Sequence, residues 1–418
     1  MPKPRLILDW TLYRLALLVA APLIPLRLLW RGRRERGYWR SWNERLGGGP
    51  APAAQALWVH AVSVGEMRAA EPLVAALREA HPDWPVLLTC MTPTGRATAE
   101  ALYGDFAQIA YLPYDYAWPV RRFLRRARPR VGILMETELW PNLVYAASAA
   151  GVPLMLANGR LSERSAKGYA KLPALTRACL QRLAIVAAQT EADAERLRAA
   201  GARQVTVCGN LKFDVAPPAD TEARAGELRR AFAGRFVWLA ASTRDGEEAL
   251  LLDALAQLDL PELLLVIVPR HPQRFDEVAR LIETHGLNCP RRSQGGTSAK
   301  TDRVFLGDSM GEMAAYAQAC ELAVIGGSLL PFGGQNPIEI AAAGKPILLG
   351  PHTWNFQAVS EEAVRCGAAR RIQDAEALVH AVRELFEAAA VRNRMGEAGA
   401  VFAQNHRGAT ARILQLLR

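Results

Sequence analysis

LAVIGGSLLPFGGQNPIEIAAAGKPILLG, residues 322–350, reads as strand, glycine-rich loop, helix and strand in close succession. That order, with short connections, is the building unit of a parallel α/β sheet. The loop ends at Asn336, and Pro337 falls in the first helical turn. There its fixed φ fits and its missing N–H is not needed. Gly333 and Gly334 let backbone approach a ligand closely. Free N–H groups at the helix start, around Ile338, attract phosphate. Glu339 is placed to accept hydrogen bonds from two ribose hydroxyls. The same Asn-Pro-Ile-Glu string also fits a plain capping box. The flanking glycines at 326, 327, 333 and 334 favour the nucleotide cradle.

Outward from this stretch the alternation continues in both directions. RFVWLAAS, LLLVIVP and RVFLGDS precede it as strands, each followed by a helical pattern. Earlier still, ALWVHAV, WPVLLTCMT, RVGILME, VPLMLAN, LAIVAAQ and QVTVCGN repeat the theme. GNLKFDVAPPAD, residues 209–220, interrupts it with two prolines and an acidic turn, and residues 211–220 read as a linker. The expected fold class is therefore α/β. Two Rossmann-like, doubly wound domains, 36–210 and 221–418, would face a cleft. The last helix, from about Val401, would pack back on the first domain. RRSQGGTSAKTD, residues 291–302, reads as a flexible surface segment.

The chain has 418 residues, room for about two or three domains of ~150 residues. A net charge of +10 points to an anionic partner: nucleic acid, acidic lipid or phosphorylated substrate. No nucleic-acid reading motif is present, and the basic runs lack interleaved aromatics, so no nucleic-acid partner is expected. The six cysteines form no CxxC pair and read as reduced, buried thiols. The histidines lack metal-ligand spacing, and no metal is expected.

Residues 1–35 read as a membrane anchor with a basic flank. The unbroken apolar run Leu15–Leu26 makes roughly 18 Å of helix, short of the ~30 Å bilayer core. Pro22 and Pro25 would bend it. The following RGRRERGYWR suits anionic headgroups on the cytoplasmic side. Single-pass and interfacial anchoring both remain open, as does a buried helix of the first domain. The dense basic helix RRFLRRARPR, residues 121–130, is either an ordinary solvated face or a second contact with phosphorylated lipid.

In open parallel sheets, ligands bind beyond the carboxyl ends of the strands. The chemistry-bearing residues of this chain gather there. HAVSVGE, residues 60–66, puts Ser63, Gly65 and Glu66 at a helix start. Glu66 suits a general base, but Ser63-x-x-Glu66 is also a capping box. A helix N-terminus lowers a carboxyl pKa, while apolar neighbours raise it; the sequence leaves the balance open. METELWPN, residues 135–142, presents Glu136 and Glu138 beside Trp140. NGRLSERS offers Arg160 and Ser162 to an anionic substrate, and Lys212 in GNLKFD is a point charge for a leaving phosphate. Ser242 and Thr243 end one strand of the second domain, and Pro269 and Arg270 the next. Met310, Gly311 and Glu312 lie in the turn GDSMGEM, where backbone contacts to a base or ribose are expected.

HAVSVGE, METELWPN, NGRLSERS, GNLKFD, VPRHPQRF, GDSMGEM and GGQNPIE occur in this order over nearly the whole chain. Together they closely resemble the bacterial Kdo transferases, which add 3-deoxy-D-manno-octulosonic acid (Kdo) to the lipid A precursor. The resemblance implies a GT-B fold, CMP-Kdo as donor with no cofactor, and an inverting transfer to an acceptor hydroxyl. It also implies a catalytic part on the cytoplasmic side of the inner membrane. By resemblance Glu66 removes the acceptor proton, and Glu136 and Lys212 support the transition state. Pro269, Arg270, Met310 to Glu312, and Asn336 to Glu339 would bind CMP.

Two rival readings stand beside this one. Another GT-B enzyme acting on a UDP-sugar, a transferase or an epimerase, would share the loops. A non-catalytic membrane-bound nucleotide sensor would keep the cradle without needing Glu66. A Rossmann dehydrogenase is disfavoured, since no GxGxxG follows the first strand.

Overall fold

The computed structural model describes residues 4–33, 35–52 and 55–417. Met1–Lys3 and Arg34, parts of the expected anchor and flank, lie outside the described residues. The chain divides into two compact units: Met1–Val215 with Arg407–Arg418, and Ala216–His406.

The first unit carries a wholly parallel sheet. Its strands are β1 Ala56–His60, β2 Val86–Cys90, β3 Ala107–Tyr111, β4 Pro129–Met135, β5 Leu154–Gly159, β6 Ile185–Ala188 and β7 Val205–Val207. Their spatial order is β3-β2-β1-β4-β5-β6-β7. β1 and β2 are buried along their whole length, as strands covered by helices on both faces must be. Trp58, at the sheet centre, has no exposed surface, and its indole N–H donates to Thr89 Oγ1 at 2.8 Å.

The second unit repeats the plan with β8 Phe236–Thr243, β9 Leu263–Pro269, β10 Val304–Leu306, β11 Leu322–Ile325, β12 Ile347–Leu349 and β13 Ala369–Arg371. The order is β10-β9-β8-β11-β12-β13, again all parallel. In both sheets the strand order reverses beside the first strand of the unit, so the loops after β1 and β4, and after β8 and β11, flank the switch points where α/β sheets hold ligands.

Four details differ from the sequence reading. β3 and β13 were not anticipated. Leu211–Phe213 form a 3-10 turn of the first unit rather than open linker. The helix running through Val401 spans Ala389–Asn405 in the second unit, and a separate helix, Ala409–Leu416, belongs to the first. Asp214 ties that last helix down by accepting from the Gly408 and Thr410 N–H groups at 2.7 and 2.6 Å. Finally, the start of the 291–302 segment is pinned: Arg291 pairs with Asp308 at 2.7 Å, and the Ser293 N–H donates to Asp308 at 2.8 Å. Of the cysteines, Cys366 is exposed and Cys289 half-buried, while the other four are buried.

The N-terminal helix Pro4–Ala20 is built into the first unit. Asp9 is buried, and its Oδ2 accepts from the Ala174 and Leu175 N–H groups, capping the helix Pro173–Leu180. The Tyr13 hydroxyl donates to Asp115 at 2.6 Å, and the Tyr116 hydroxyl to the Leu17 carbonyl at 2.7 Å. The opposite face exposes Leu8, Leu12, Leu15 and Val19. Among the described residues no single helix is long and apolar enough to cross a membrane. Pro4–Ala20 and Leu23–Gly32 pass that test only together, as a pair bent by 46°.

Candidate active site

In the first unit, the loop after β1 runs straight into the helix Val64–Ala69. The Val62 N–H donates to Glu66 Oε2 and the Ser63 hydroxyl to Oε1, both at 2.9 Å. Ser63 in turn accepts from the Glu66 N–H at 3.4 Å. The capping box is real, and it also fixes the direction of the Glu66 carboxyl. A Cβ at Gly65 would meet only Ser63 Oγ, at 4.0 Å, so internal packing does not demand glycine there.

Glu66 is pushed up to about 7. Burial is the largest cause; the Glu136 carboxylate comes next and Glu138 adds to it, against the Val62 and Ser63 hydrogen bonds that pull it down. Desolvation and like charge therefore outweigh the helix N-terminus. A carboxyl balanced near neutral pH is suited to proton abstraction.

Glu136 sits at the end of β4 with φ +58, a left-handed conformation rare outside glycine. Its N–H donates to the Ala157 carbonyl at 3.0 Å, and its carbonyl accepts from the Arg160 N–H at 3.3 Å. These bonds turn its side chain out of the strand register. Lys212 Nζ then lies 2.9 Å from Glu136 Oε1. Glu138 accepts from the Trp140 indole at 2.6 Å; burial first, then Glu136, holds its carboxyl above the ordinary value. So the structure gathers Glu66, Glu136, Glu138 and Lys212. Ser162, expected at a substrate, caps the helix Glu163–Tyr169 by accepting from the Ser165 N–H at 3.2 Å.

Asn158 escaped the sequence reading. It is the penultimate residue of β5, with φ +54, is fully buried, and its Oδ1 accepts from the Leu211 N–H at 3.0 Å. It thus fixes the turn that carries Lys212. A polar residue near the end of an otherwise apolar strand was the available signal.

In the second unit, β8 bulges at Ser242, whose φ is +61. The irregularity brings its carbonyl against Gly326, where a Cβ would approach to 2.3 Å. Thr243 departs from expectation: it is buried, and its hydroxyl donates to Glu248 Oε1 at 2.6 Å instead of facing a ligand. The strand pleat turns it inward. Arg270 follows β9, and its N–H donates to the Thr243 carbonyl at 3.0 Å. The neighbouring His271 is held below its ordinary value by partial burial and then by Arg244, Arg270 and Arg274. Arg244 and Arg270 thus place positive charge at the loop ends after β8 and β9, while Arg274 is paired with Glu248.

The glycine loop closes on itself. The Gly334 N–H donates to the Gly327 carbonyl at 2.6 Å and the Gln335 N–H to the Gly326 carbonyl at 3.0 Å. Gly333 has φ +91, and a Cβ there would run into Trp354. The helix that follows, Ile338–Ala342, is five residues long, with Pro337 just before it. Asn336 Oδ1 accepts from the Ile338 N–H, and its Nδ2 donates to Glu339 Oε1, both at 3.1 Å. The capping reading holds here, while the Glu339 side chain remains exposed. Met310 is exposed and Gly311 has φ +80. The Glu312 carboxylate is engaged by Arg292 at 2.9 Å and Arg224 at 3.6 Å. Burial alone would raise its pKa, but these partners and Ser309 hold it below the ordinary value.

Glu247 and Glu248 were also missed. Both are fully buried at the start of the helix Glu247–Ala256. Two adjacent acids after a glycine read as a solvated first turn. Only the fold brings the main-chain donors of the glycine loop onto one of them and Arg274 onto the other.

Comparison with known proteins decides the family. The family model described as 3-deoxy-D-manno-octulosonic-acid transferase (kdotransferase) matches residues 40–215. The 3-deoxy-D-manno-octulosonic acid transferase of Bordetella pertussis is 44% identical over 97% of this chain and 98% of its own length. The chain belongs to the 3-deoxy-D-manno-octulosonic acid transferase family. The Haemophilus influenzae member is 35% identical over 97% of both chains. These transferases are glycosyltransferases, and this chain is one of them. Among solved structures, the UDP-GlcNAc 2-epimerase of Neisseria meningitidis covers 87% of this chain and 99% of its own, with a TM-score of 0.60 at 14% identity. That likeness concerns the fold, which is GT-B.

Proposed function

We propose that the protein transfers Kdo from CMP-Kdo to a hydroxyl of the lipid A precursor, with Glu66 as the general base. The observation that carries this reading is the Glu66 carboxyl, pushed up to about 7 beside the Glu136–Lys212 pair in a chain of this family. Its Oε atoms, oriented by Val62 and Ser63, take the proton as the acceptor oxygen attacks the anomeric carbon. Attack opposite the departing nucleotide inverts that carbon. The bond to the phosphate breaks, and CMP leaves as a monoester carrying the electron pair. In the second unit Arg270 and Arg244 supply positive charge for the anionic leaving group. In the first unit the Glu136–Lys212 pair sets the charge around Glu66. The lack of internal steric need for glycine at 65 supports close approach of an acceptor there.

The acceptor is a phosphorylated glycolipid, so the enzyme works at a membrane surface. The docked N-terminal helix supports interfacial attachment. Asp9 and Tyr13 hold one face to the first unit, while Leu8, Leu12, Leu15 and Val19 offer an apolar strip to lipid. Basic residues of the flank and of the helix Ala117–Ala127 suit anionic headgroups on the cytoplasmic side of the inner membrane.

Mass spectrometry of a reaction containing CMP-Kdo and tetraacylated lipid A precursor tests the assignment. The product should gain whole Kdo residues with wild-type protein and none with Glu66→Ala. No gain with wild-type protein would reject it.

A further inference from the structure

Glu247 is a buried acid with an unusual set of partners. Its Oε2 accepts from the Gly327 N–H at 2.6 Å and the Arg244 N–H at 2.9 Å. Its Oε1 accepts from the Leu329 N–H at 3.0 Å and the Leu330 N–H at 3.3 Å. Main-chain N–H groups converging in this way form an anion-binding concavity. Here the anion is part of the protein.

The four donors come from two loops, after β8 and after β11, whose strands are neighbours in the sheet. One carboxylate therefore clamps both. The clamp is passed on along the glycine loop: Gly327, held by Glu247, receives the Gly334 N–H, and Gly326 receives the Gln335 N–H. Those two residues lead directly into Asn336 and the Glu339 helix. On the other side, Arg244 has its main chain fixed by Glu247 and its guanidinium over the Phe332 ring at 4.7 Å. The next residue, Glu248, faces elsewhere. It binds Arg274 through both oxygens, at 2.6 and 3.1 Å, and takes the Thr243 hydroxyl. The adjacent acids thus divide the work: Glu247 orders the loops, and Glu248 neutralises Arg274.

We propose that Glu247 is the positioning residue of the donor site, an internal carboxylate whose four main-chain bonds set the glycine loop and Arg244 in the geometry that receives the nucleotide. This rests on the reading that the second unit holds CMP-Kdo. It implies that the amides of Gly327, Leu329 and Leu330 are committed to Glu247 and do not bind the donor phosphate. The phosphate falls instead to side-chain cations of the same loop ends.

Steady-state kinetics of Glu247→Gln test this. The amide keeps the size but turns one oxygen into a donor that opposes two N–H groups. The KM for CMP-Kdo should rise about ten-fold or more, the scale of a lost charge-assisted hydrogen bond, with the acceptor KM unchanged. Gly327→Ala leaves the carboxylate intact but displaces one of its donors, since a Cβ there meets Gln335 at 3.2 Å and Arg244 at 3.4 Å. It should show the same donor-specific rise if Glu247→Gln folds poorly. Val382→Ala, in the core of the second unit, is the comparison for stability alone. A donor KM that rises equally in Val382→Ala at matched loss of Tm overturns the proposal. So does wild-type affinity for CMP, by calorimetry, in both loop variants. Failure of CMP to bind the wild-type protein would reject the donor-site reading itself, and the proposal with it.

Discussion

Lys212 Nζ lies 2.9 Å from Glu136 Oε1, joining a 3-10 turn to a strand end 76 residues earlier in the chain. Each partner is held by its own main chain. Glu136 is set by its left-handed backbone and Lys212 by the Asn158 bond to Leu211. The pair is therefore a preformed electrostatic environment beside Glu66, in which the Glu136 carboxylate raises the Glu66 carboxyl and Lys212 holds that carboxylate in place.

Replacing Lys212 should disturb chemistry more than binding. Lys212→Met leaves the Glu136 carboxylate without its ammonium, so kcat should fall by about a hundred-fold or more. The acid limb of the rate profile should also move to higher pH. A kcat within about two-fold of wild type would show that the ion pair has no part in the reaction.

Glu66 should make the fold less stable where it makes the enzyme active. A carboxyl raised from 4.5 to about 7 in the folded state stabilises the fold fully below pH 4.5, and that contribution is lost as pH rises through about 7. The loss is on the order of 3 kcal/mol once the group is ionised. Glu66→Gln does not ionise, so its Tm should gain on wild type between pH 5 and pH 8. Parallel Tm curves across that range would contradict the raised pKa.

The N-terminal helix has two faces with separable roles. Asp9→Ala removes the cap on Ala174 and Leu175 and should lower stability by about 1–2 kcal/mol in chemical denaturation. Combined Leu12→Ser, Leu15→Ser and Val19→Ser substitutions touch only exposed positions. They should leave Tm unchanged while reducing sedimentation with anionic vesicles. Undiminished vesicle binding by the triple variant would remove this face from the membrane contact.

Much of this fold was legible because its strands are apolar runs buried on both sides. ALWVH and LLLVIVP can hardly be anything else between helical patterns. The strands that stayed hidden, AQIAY at β3 and ARR at β13, are sheet edges with exposed or half-buried residues and weak patterning. The loop motifs located the acids and cations, since ligands gather beyond strand ends. What they could not reveal was the sign of a balance. At Glu66 the capping residue and the proposed base are the same residue, and burial with the Glu136 and Glu138 charges, set against the Val62 and Ser63 hydrogen bonds, decides its pKa. Glu247 was out of reach for a different reason: three of its four partners are main-chain N–H groups 80 to 83 residues away, which leave no mark on side-chain sequence.

The most direct test of the central claim is the pH dependence of Kdo transfer under single-turnover conditions, in wild type and Glu136→Gln. With Glu66 as base and Glu136 the largest charge acting on it, the wild-type rate should climb through an acid limb near the Glu66 value of about 7. That limb should move to lower pH when the Glu136 charge is removed. A limb that stays in place in Glu136→Gln, or one that persists with undiminished rate in Glu66→Ala, would contradict it.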